Sequence, residues 1–217
     1  MGLTLVIANK AYSSWSFRPW ILMRHLGIPF EEITIPMARD ETRAEMLRYA
    51  PTGKCPSLHD GEIAIWDSLA IVEYLAESFP ELAIWPKEKA ARAHARSLAA
   101  EMHSGFVGLR SHMPTVFRRA VKKRNLTPEA ESDLSRIEAA WSDARSKFGI
   151  SGHFLFGDFS AADAMFAPVV ERLRAYDAPV GAQTRLYMEA MMSLPAWREW
   201  VAGAEAEPWH IDKYDAI

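Results

Sequence analysis

A single cysteine, Cys55, stands in a chain of 217 residues. No intrachain disulfide can form, and CxxC redox pairs and cysteine-rich zinc sites are excluded. Neither sign of charge dominates. Twenty-five Lys+Arg face 28 Asp+Glu, a net charge of −3, so no overall field draws the chain to nucleic acid. No apolar run approaches the ~20 residues of a membrane span. Residues 1–6 lack the positive n-region and full apolar stretch of a signal peptide, and Val6 breaks the myristoylation pattern. These absences predict a cytoplasmic chain without a membrane partner. GxGxxG and GxSxG do not occur. Thr52-Gly53-Lys54-Cys55 falls short of a phosphate loop, with Arg48 for its first glycine and Cys for Ser/Thr. Seven scattered histidines with no HxxxH pair predict no metal site.

What is present suffices for a packed core. Hydrophobic residues make up 49%, with eight Trp and ten Phe, and 24% are charged, so global disorder is excluded. Leu3-Thr4-Leu5-Val6-Ile7-Ala8 reads as a buried strand. Residues 17–26 read as a helix stopped by Gly27, with Pro19 near its start. A second strand over 30–35 completes a βαβ unit, so the two strands should be parallel. Residues 41–49 form a short polar helix or loop. Two apolar runs then flank Asp60-Gly61, a strong hairpin signal, and 68–76 reads as a helix ending before Pro80.

Beyond Pro86 the strand signals stop. Leu98, Met102, Phe106, Leu109 and Met113 form one helical stripe, and Leu134, Ile137, Trp141, Ala144 and Phe148 form another. Thr127-Pro128 opens the second. Ser160 with Asp163 opens a third helix as a capping box, which Pro168 should kink. Last come helices over 183–193 and 195–203. The boundary between the two textures lies near Trp85-Pro86-Lys87. The basic run over 118–124 reads as a solvated helix end, and the sequon at Asn125 carries no weight without an export signal.

Two segments are candidates for chemistry. Cys55 precedes Pro56; one cysteine without a nucleophile signature fits a structural role better than a catalytic one. A cis-proline here would leave the Cys55 backbone facing out. Tyr12-Ser13-Ser14-Trp15-Ser16 leaves a strand and enters a helix. One serine serves as N-cap, but three hydroxyls plus Tyr12 at a helix N-terminus also suit an anion. From the loop alone both readings stand.

Four motifs, in order across essentially the whole chain, carry a family resemblance. Ser13-Ser14-Trp15-Ser16-Phe17-Arg18 resembles the Ser-Ser-Cys-Ser loop of zeta-like glutathione transferases. Lys54-Cys55-Pro56 is similar to the superfamily's Lys-Val-Pro segment with its cis-proline. Asp67-Ser68 resembles the Glu/Gln-Ser pair that holds the γ-glutamyl group. The segment from Gly157 to Asp163 resembles the capping motif of the C-terminal domain. The chain thus resembles a bacterial zeta/theta-like, serine-type member of the glutathione transferase superfamily. Two departures stand out: Trp15 replaces the zeta cysteine, which weakens an assignment to maleylacetoacetate isomerisation, and Asp67 is one methylene shorter than Glu.

The resemblance implies an α/β plus all-α chain: a thioredoxin-like (βαβ-ββα) glutathione-binding domain over 1–80, then an all-helical domain over 87–217 forming the electrophile site. It implies a cytoplasmic homodimer in detoxification, with glutathione as co-substrate. A free thiol of pKa ~8.5 is only ~3% thiolate at pH 7. Ser13 would hold it as the anion, with Ser14 and Tyr12 as alternatives. The Cys55 backbone beside Pro56 would pair with the cysteinyl segment, Asp67 with the γ-glutamyl ammonium, Ser68 and its helix N-terminus with the α-carboxylate, and Lys54 with the glycyl carboxylate; Ser14 is a further glutathione contact. Trp15, Met102, His103, Phe106 and Arg110 would face the electrophile, although Met102, Phe106 and Met113 each fit plain core better. Arg110, one step off the stripe, suits an anionic electrophile. The alternatives are a glutathione-dependent isomerase or dehalogenase, and a non-catalytic binding protein of the same fold.

Overall fold

The computed structural model describes residues 2–216. The first part runs β1 (Leu3–Ala8), α1 (Ser14–His25), β2 (Phe30–Ile35), α2 (Thr42–Leu47), β3 (Ser57–Asp60), β4 (Ile63–Trp66) and α3 (Ser68–Ser78). The rest is helical: α4 (Lys89–Ser104), α5 (Val107–His112), α6 (Pro128–Phe148), α7 (Ala161–Ala175), α8 (Ala182–Ser193), α9 (Pro195–Ala206) and the short α10 (Asp212–Asp215). The four-stranded sheet has the order β2-β1-β3-β4; β1 pairs parallel with β2 and antiparallel with β3. This is a thioredoxin-like arrangement followed by an all-helical one.

β1 is apolar except for the half-buried Thr4 because both its faces are covered. Leu3, Leu5 and Ile7 enter the main core, while Val6 and Ala8 meet Ile35 and Met46 on the opposite face. The main core continues without a break from the sheet through α1 into the helical part. Phe17 and Trp20 of α1 pack edge-on or tilted against Phe117, Trp197 and Trp200, with centroids 4.8–5.3 Å apart. α1 is therefore the shared wall of the two parts, and this fixes its N-terminus between them.

Three local details differ from the sequence expectation. α1 begins at Ser14, because Ser13 caps it by accepting from the Ser16 N–H at 3.2 Å. Pro19 then lies inside the helix rather than in its first turn. The hairpin loop is Gly61-Glu62, since Asp60 pairs with Ile63; Gly61 has φ +57°, as the first residue of a two-residue loop requires. The stripe from Leu98 to Met113 is broken into α4 and α5. Gly105 is extended and Phe106 left-handed at φ +57°. A Cβ on Gly105 would sit 2.8 Å from the Glu101 carbonyl oxygen, so only glycine fits this corner. α7 continues through Pro168, and Asp163 completes the expected capping box with Ser160.

Candidate active site

The N-terminus of α1 forms one wall of a cleft of about 650 Å³. Ser13 is 6% exposed. Its hydroxyl donates to Ser16 Oγ at 2.8 Å, and Ser16 Oγ accepts the Ala8 N–H at 3.0 Å. Of the first-turn amides, Ser14 N–H reaches the Tyr12 carbonyl and Ser16 N–H reaches Ser13 Oγ. The Trp15 N–H has no backbone or side-chain acceptor among the described residues. A hydroxyl and a free amide thus stand at a helix N-terminus, where negative charge is stabilised. Ser14 also lines this cleft.

Tyr12 lines the same cleft but is engaged elsewhere. Its phenol donates to Asp215 at 2.8–2.9 Å and accepts from the Ile211 N–H at 3.0 Å and from Arg118. Burial and then the Asp215 bond raise its pKa. Glu207 accepts from the Lys10 and Ala11 amides at 2.6 and 3.0 Å. The C-terminal segment is thus clamped over the loop that precedes α1, and Lys213 and Tyr214 become part of the cleft wall.

A second cleft, of about 380 Å³, adjoins the first through shared Trp15, Lys54 and Cys55. The Cys55–Pro56 bond is cis, and no backbone hydrogen bond involves Cys55 among the described residues. Burial pushes the Cys55 thiol up to about 12, so it is no nucleophile at neutral pH. Opposite lie Asp67 and Ser68. Asp67 has φ +78° and caps α3 through the Leu69 N–H at 2.8 Å; its other oxygen lies 3.2 Å from His103 Nε2. The Ser68 hydroxyl is buried without a partner.

Trp15 joins the two halves. Its ring lies under Arg18 at 4.2 Å and Arg110 at 4.7 Å, and meets His103 edge-on at 5.2 Å. The structure brings Ser13, Ser14, Trp15, Lys54, Cys55, Pro56, Asp67, Ser68, His103 and Arg110 to the paired clefts. Met102 and Phe106 do not belong to them. Met102 is 0% exposed in the core, and Phe106 turns away at the α4–α5 corner to pack on Phe166. These two, named from the helical stripe as electrophile contacts, are corrected to core; Met113, which also suited core from sequence, lies there too. The stripe marked the buried face, and the break at Gly105 redirected α5. The sequence reading missed Arg172 and Thr115, which line the first cleft, and the buried Arg18 beneath Trp15. Arg172 lies between Glu171 and Arg174 in the last turn of α7, where basic residues are common, so no local pattern set it apart. Among the described residues no His/Cys/Asp/Glu cluster could hold a metal.

Comparisons with known proteins bear on the family and the fold. Residues 12–78 match the family model for the glutathione S-transferase N-terminal domain, and 118–203 the one for its C-terminal domain. A probable maleylacetoacetate isomerase of Caenorhabditis elegans is 34% identical over 94 residues, 43% of this chain and 44% of that protein. The match therefore spans under half of that relative's length. Glutathione S-transferase Z2 of Arabidopsis thaliana is 26% identical over 201 residues, covering 87% of this chain and 88% of that one. A solved glutathione transferase homolog from Burkholderia GL BGR1, with bound glutathione, superposes with a TM-score of 0.73 at 23% identity; it covers 95% of this chain and 100% of that one.

Proposed function

The chain belongs to the glutathione S-transferase family, and from that premise we propose that it is a glutathione transferase: it holds the glutathione thiol as a thiolate for attack on a small electrophile. The observation that carries this reading is the Ser13 hydroxyl at the N-terminus of α1, in a cleft continuous with that of Pro56, Asp67 and Ser68. Both partners of the Ser13–Ser16 bond are hydroxyls, so its direction can reverse. Ala8 N–H then donates to Ser16, Ser16 to Ser13, and Ser13 to the sulfur, each bond polarising the next. Lowering a thiol pKa by two units requires ~2.7 kcal/mol. One hydroxyl donor to an anion supplies ~1.5–3 kcal/mol and a helix N-terminus ~0.3–1. The Trp15 N–H is a second donor. Ser13 gives a hydrogen bond and keeps its proton; the thiol proton goes to solvent.

The tripeptide would lie across the second cleft. Its cysteinyl backbone pairs with the unengaged Cys55 backbone beside Pro56. Its ammonium meets Asp67, which His103 orients, and its γ-glutamyl carboxylate meets the unpartnered Ser68 hydroxyl and the start of α3. Lys54 faces the glycyl carboxylate and Ser14 the region of the sulfur. The electrophile occupies the first cleft. Residues 1–80 thereby serve glutathione and 87–217 the electrophile.

We further read the chain as a cytoplasmic homodimer acting in detoxification. Edge strand β4 exposes Ile63 at 52% and Trp66 at 43%, an apolar edge that supports pairing with a second copy. No helix among the described residues is long and apolar enough to cross a membrane.

Calorimetry with glutathione, followed by initial rates with 1-chloro-2,4-dinitrobenzene, tests the proposal. Absence of heat and of rate above background would refute it. The worm relative's name favours one second reading, glutathione-assisted isomerisation, in which product forms without glutathione consumption. Trp15 in place of the zeta cysteine weighs against it.

A further inference from the structure

The first cleft has one sign of charge. Lys54, Arg110, Arg172 and Lys213 line it, and among the described residues no Asp or Glu does. Arg18 adds a fully buried cation behind Trp15, with Nε and Nη1 unpartnered. No carboxylate bonds to Arg18, Arg110 or Arg172 among the described residues. Glu171 is occupied by Arg174 and Asp67 by His103. Arg172 is 5% exposed and is held by carbonyls: Nε donates to Met113 at 2.8 Å and Nη1 to Pro168 at 3.2 Å. Its Nη2 takes part in neither bond. Arg110 is anchored to the Gly105 carbonyl at 3.2 Å. On the same cleft the Thr115 hydroxyl, 5% exposed, has no partner among the described residues.

This arrangement is costly in isolation. Burial first, and then the neighbouring arginines, lower Arg18 and Arg172 to about 9. All three carry charge at neutral pH and repel one another; Asp67 favours the Arg18 cation and Glu171 the Arg172 cation only through space, with no hydrogen bond to either among the described residues. Arginines fixed by carbonyls, with a donor left over and an orphan hydroxyl alongside, form a pre-organised acceptor for a planar anion. Met37, Met46 and Pro114 supply an apolar floor for the rest of a small molecule.

We propose that Arg110, Arg172 and Thr115 form a carboxylate-binding subsite in the helical wall of the cleft, so that the second substrate is a small electrophile bearing a carboxylate. The proposal deepens the transferase reading and rests on it for the word electrophile. The subsite itself is tested without turnover.

The probes are 3,5-dinitrobenzoate and its methyl ester, titrated calorimetrically with and without saturating S-methylglutathione. The acid should bind at least about tenfold tighter than the ester, and S-methylglutathione should not displace it. Thr115→Val, which strands no partner, should reduce acid binding by roughly three- to tenfold. Arg110→Ala should abolish the preference for the acid, and Arg110→Lys should restore part of it. Equal affinity for acid and ester overturns the subsite, and so does a preference that survives both Arg110→Ala and Thr115→Val. Displacement of the acid by S-methylglutathione assigns the arginines to the tripeptide and also overturns it. If S-methylglutathione fails to bind while the acid preference persists, the transferase reading falls and the subsite stands. With 4-chloro-3,5-dinitrobenzoate and its ester the sulfur–carbon bond forms, the carbon–chlorine bond breaks and chloride leaves. The ratio of their rates, each divided by its uncatalysed rate, should show the same preference.

Discussion

Replacing Ser13 by alanine separates its two roles. The side chain is 6% exposed, so solvent screens its bond to a thiolate little, and the loss is that of a charge-assisted hydrogen bond, ~1.5–3 kcal/mol. At 1.36 kcal/mol per unit the bound thiol should titrate ~1–2 units higher, and turnover near neutral pH should fall ~10–100-fold. The helix N-terminus and the Trp15 N–H remain, which keeps the loss from being total. The bound thiol has a lowered pKa, so its advantage operates between the bound and free midpoints. The deficit of Ser13→Ala should therefore shrink as pH rises past ~8.5, where free thiol ionises unaided. The same substitution removes the cap on Ser16 N–H. That costs ~1 kcal/mol, or ~2–4 °C in Tm for a chain of this size. Thiolate absorbance of the glutathione complex against pH, with thermal melting alongside, measures both. Ser13→Thr, which keeps hydroxyl and cap, should restore most of each. An identical thiol midpoint in wild type and Ser13→Ala would refute the argument, whatever happened to Tm.

Tyr12→Phe should alter turnover less than about threefold, under ~0.7 kcal/mol, because its phenol serves Asp215 and Arg118 rather than the sulfur. Its thermal stability should fall by ~1–2 kcal/mol; a turnover loss matching that of Ser13→Ala would show the wrong hydroxyl was chosen. Asp163, fully buried, accepts from the Leu155 and Ser160 amides and the Ser160 and Tyr187 hydroxyls at 2.9–3.1 Å. Asp163→Ala should cost about 3 kcal/mol or more through stranded donors, seen as a lower melting temperature. Burial raises Asp163 to about 6, above its unfolded value of ~3.9. Its protonation thus stabilises the fold below pH ~4, and that contribution fades as pH rises through 6. Melting curves from pH 4 to 7 should decline more in wild type than in Asp163→Asn. Ile63→Glu on the apolar edge should yield monomers by sedimentation; an intact dimer would place the interface elsewhere.

The amino-acid order settled much of this molecule by local means. Gly27 ends α1, Asp60-Gly61 announces the hairpin within one residue, and Ser160 with Asp163 opens α7, because caps and turns are decided by residues three or four apart. The serine loop was legible for the same reason: a strand end, a cap and a helix start adjoin in sequence. Tertiary structure decided the rest. Phe106 left the electrophile face because the chain turns at Gly105 and Phe106. The Tyr12 phenol was withdrawn by Asp215, and Arg118 by the same tail, across the length of the chain. Arg18 and Arg110 meet over Trp15, and Arg172 comes within electrostatic reach of both, only when α1, α5 and α7 pack. Helical periodicity records which face is buried; which charges face each other across a cleft depends on how separate elements dock, and no local pattern encodes that.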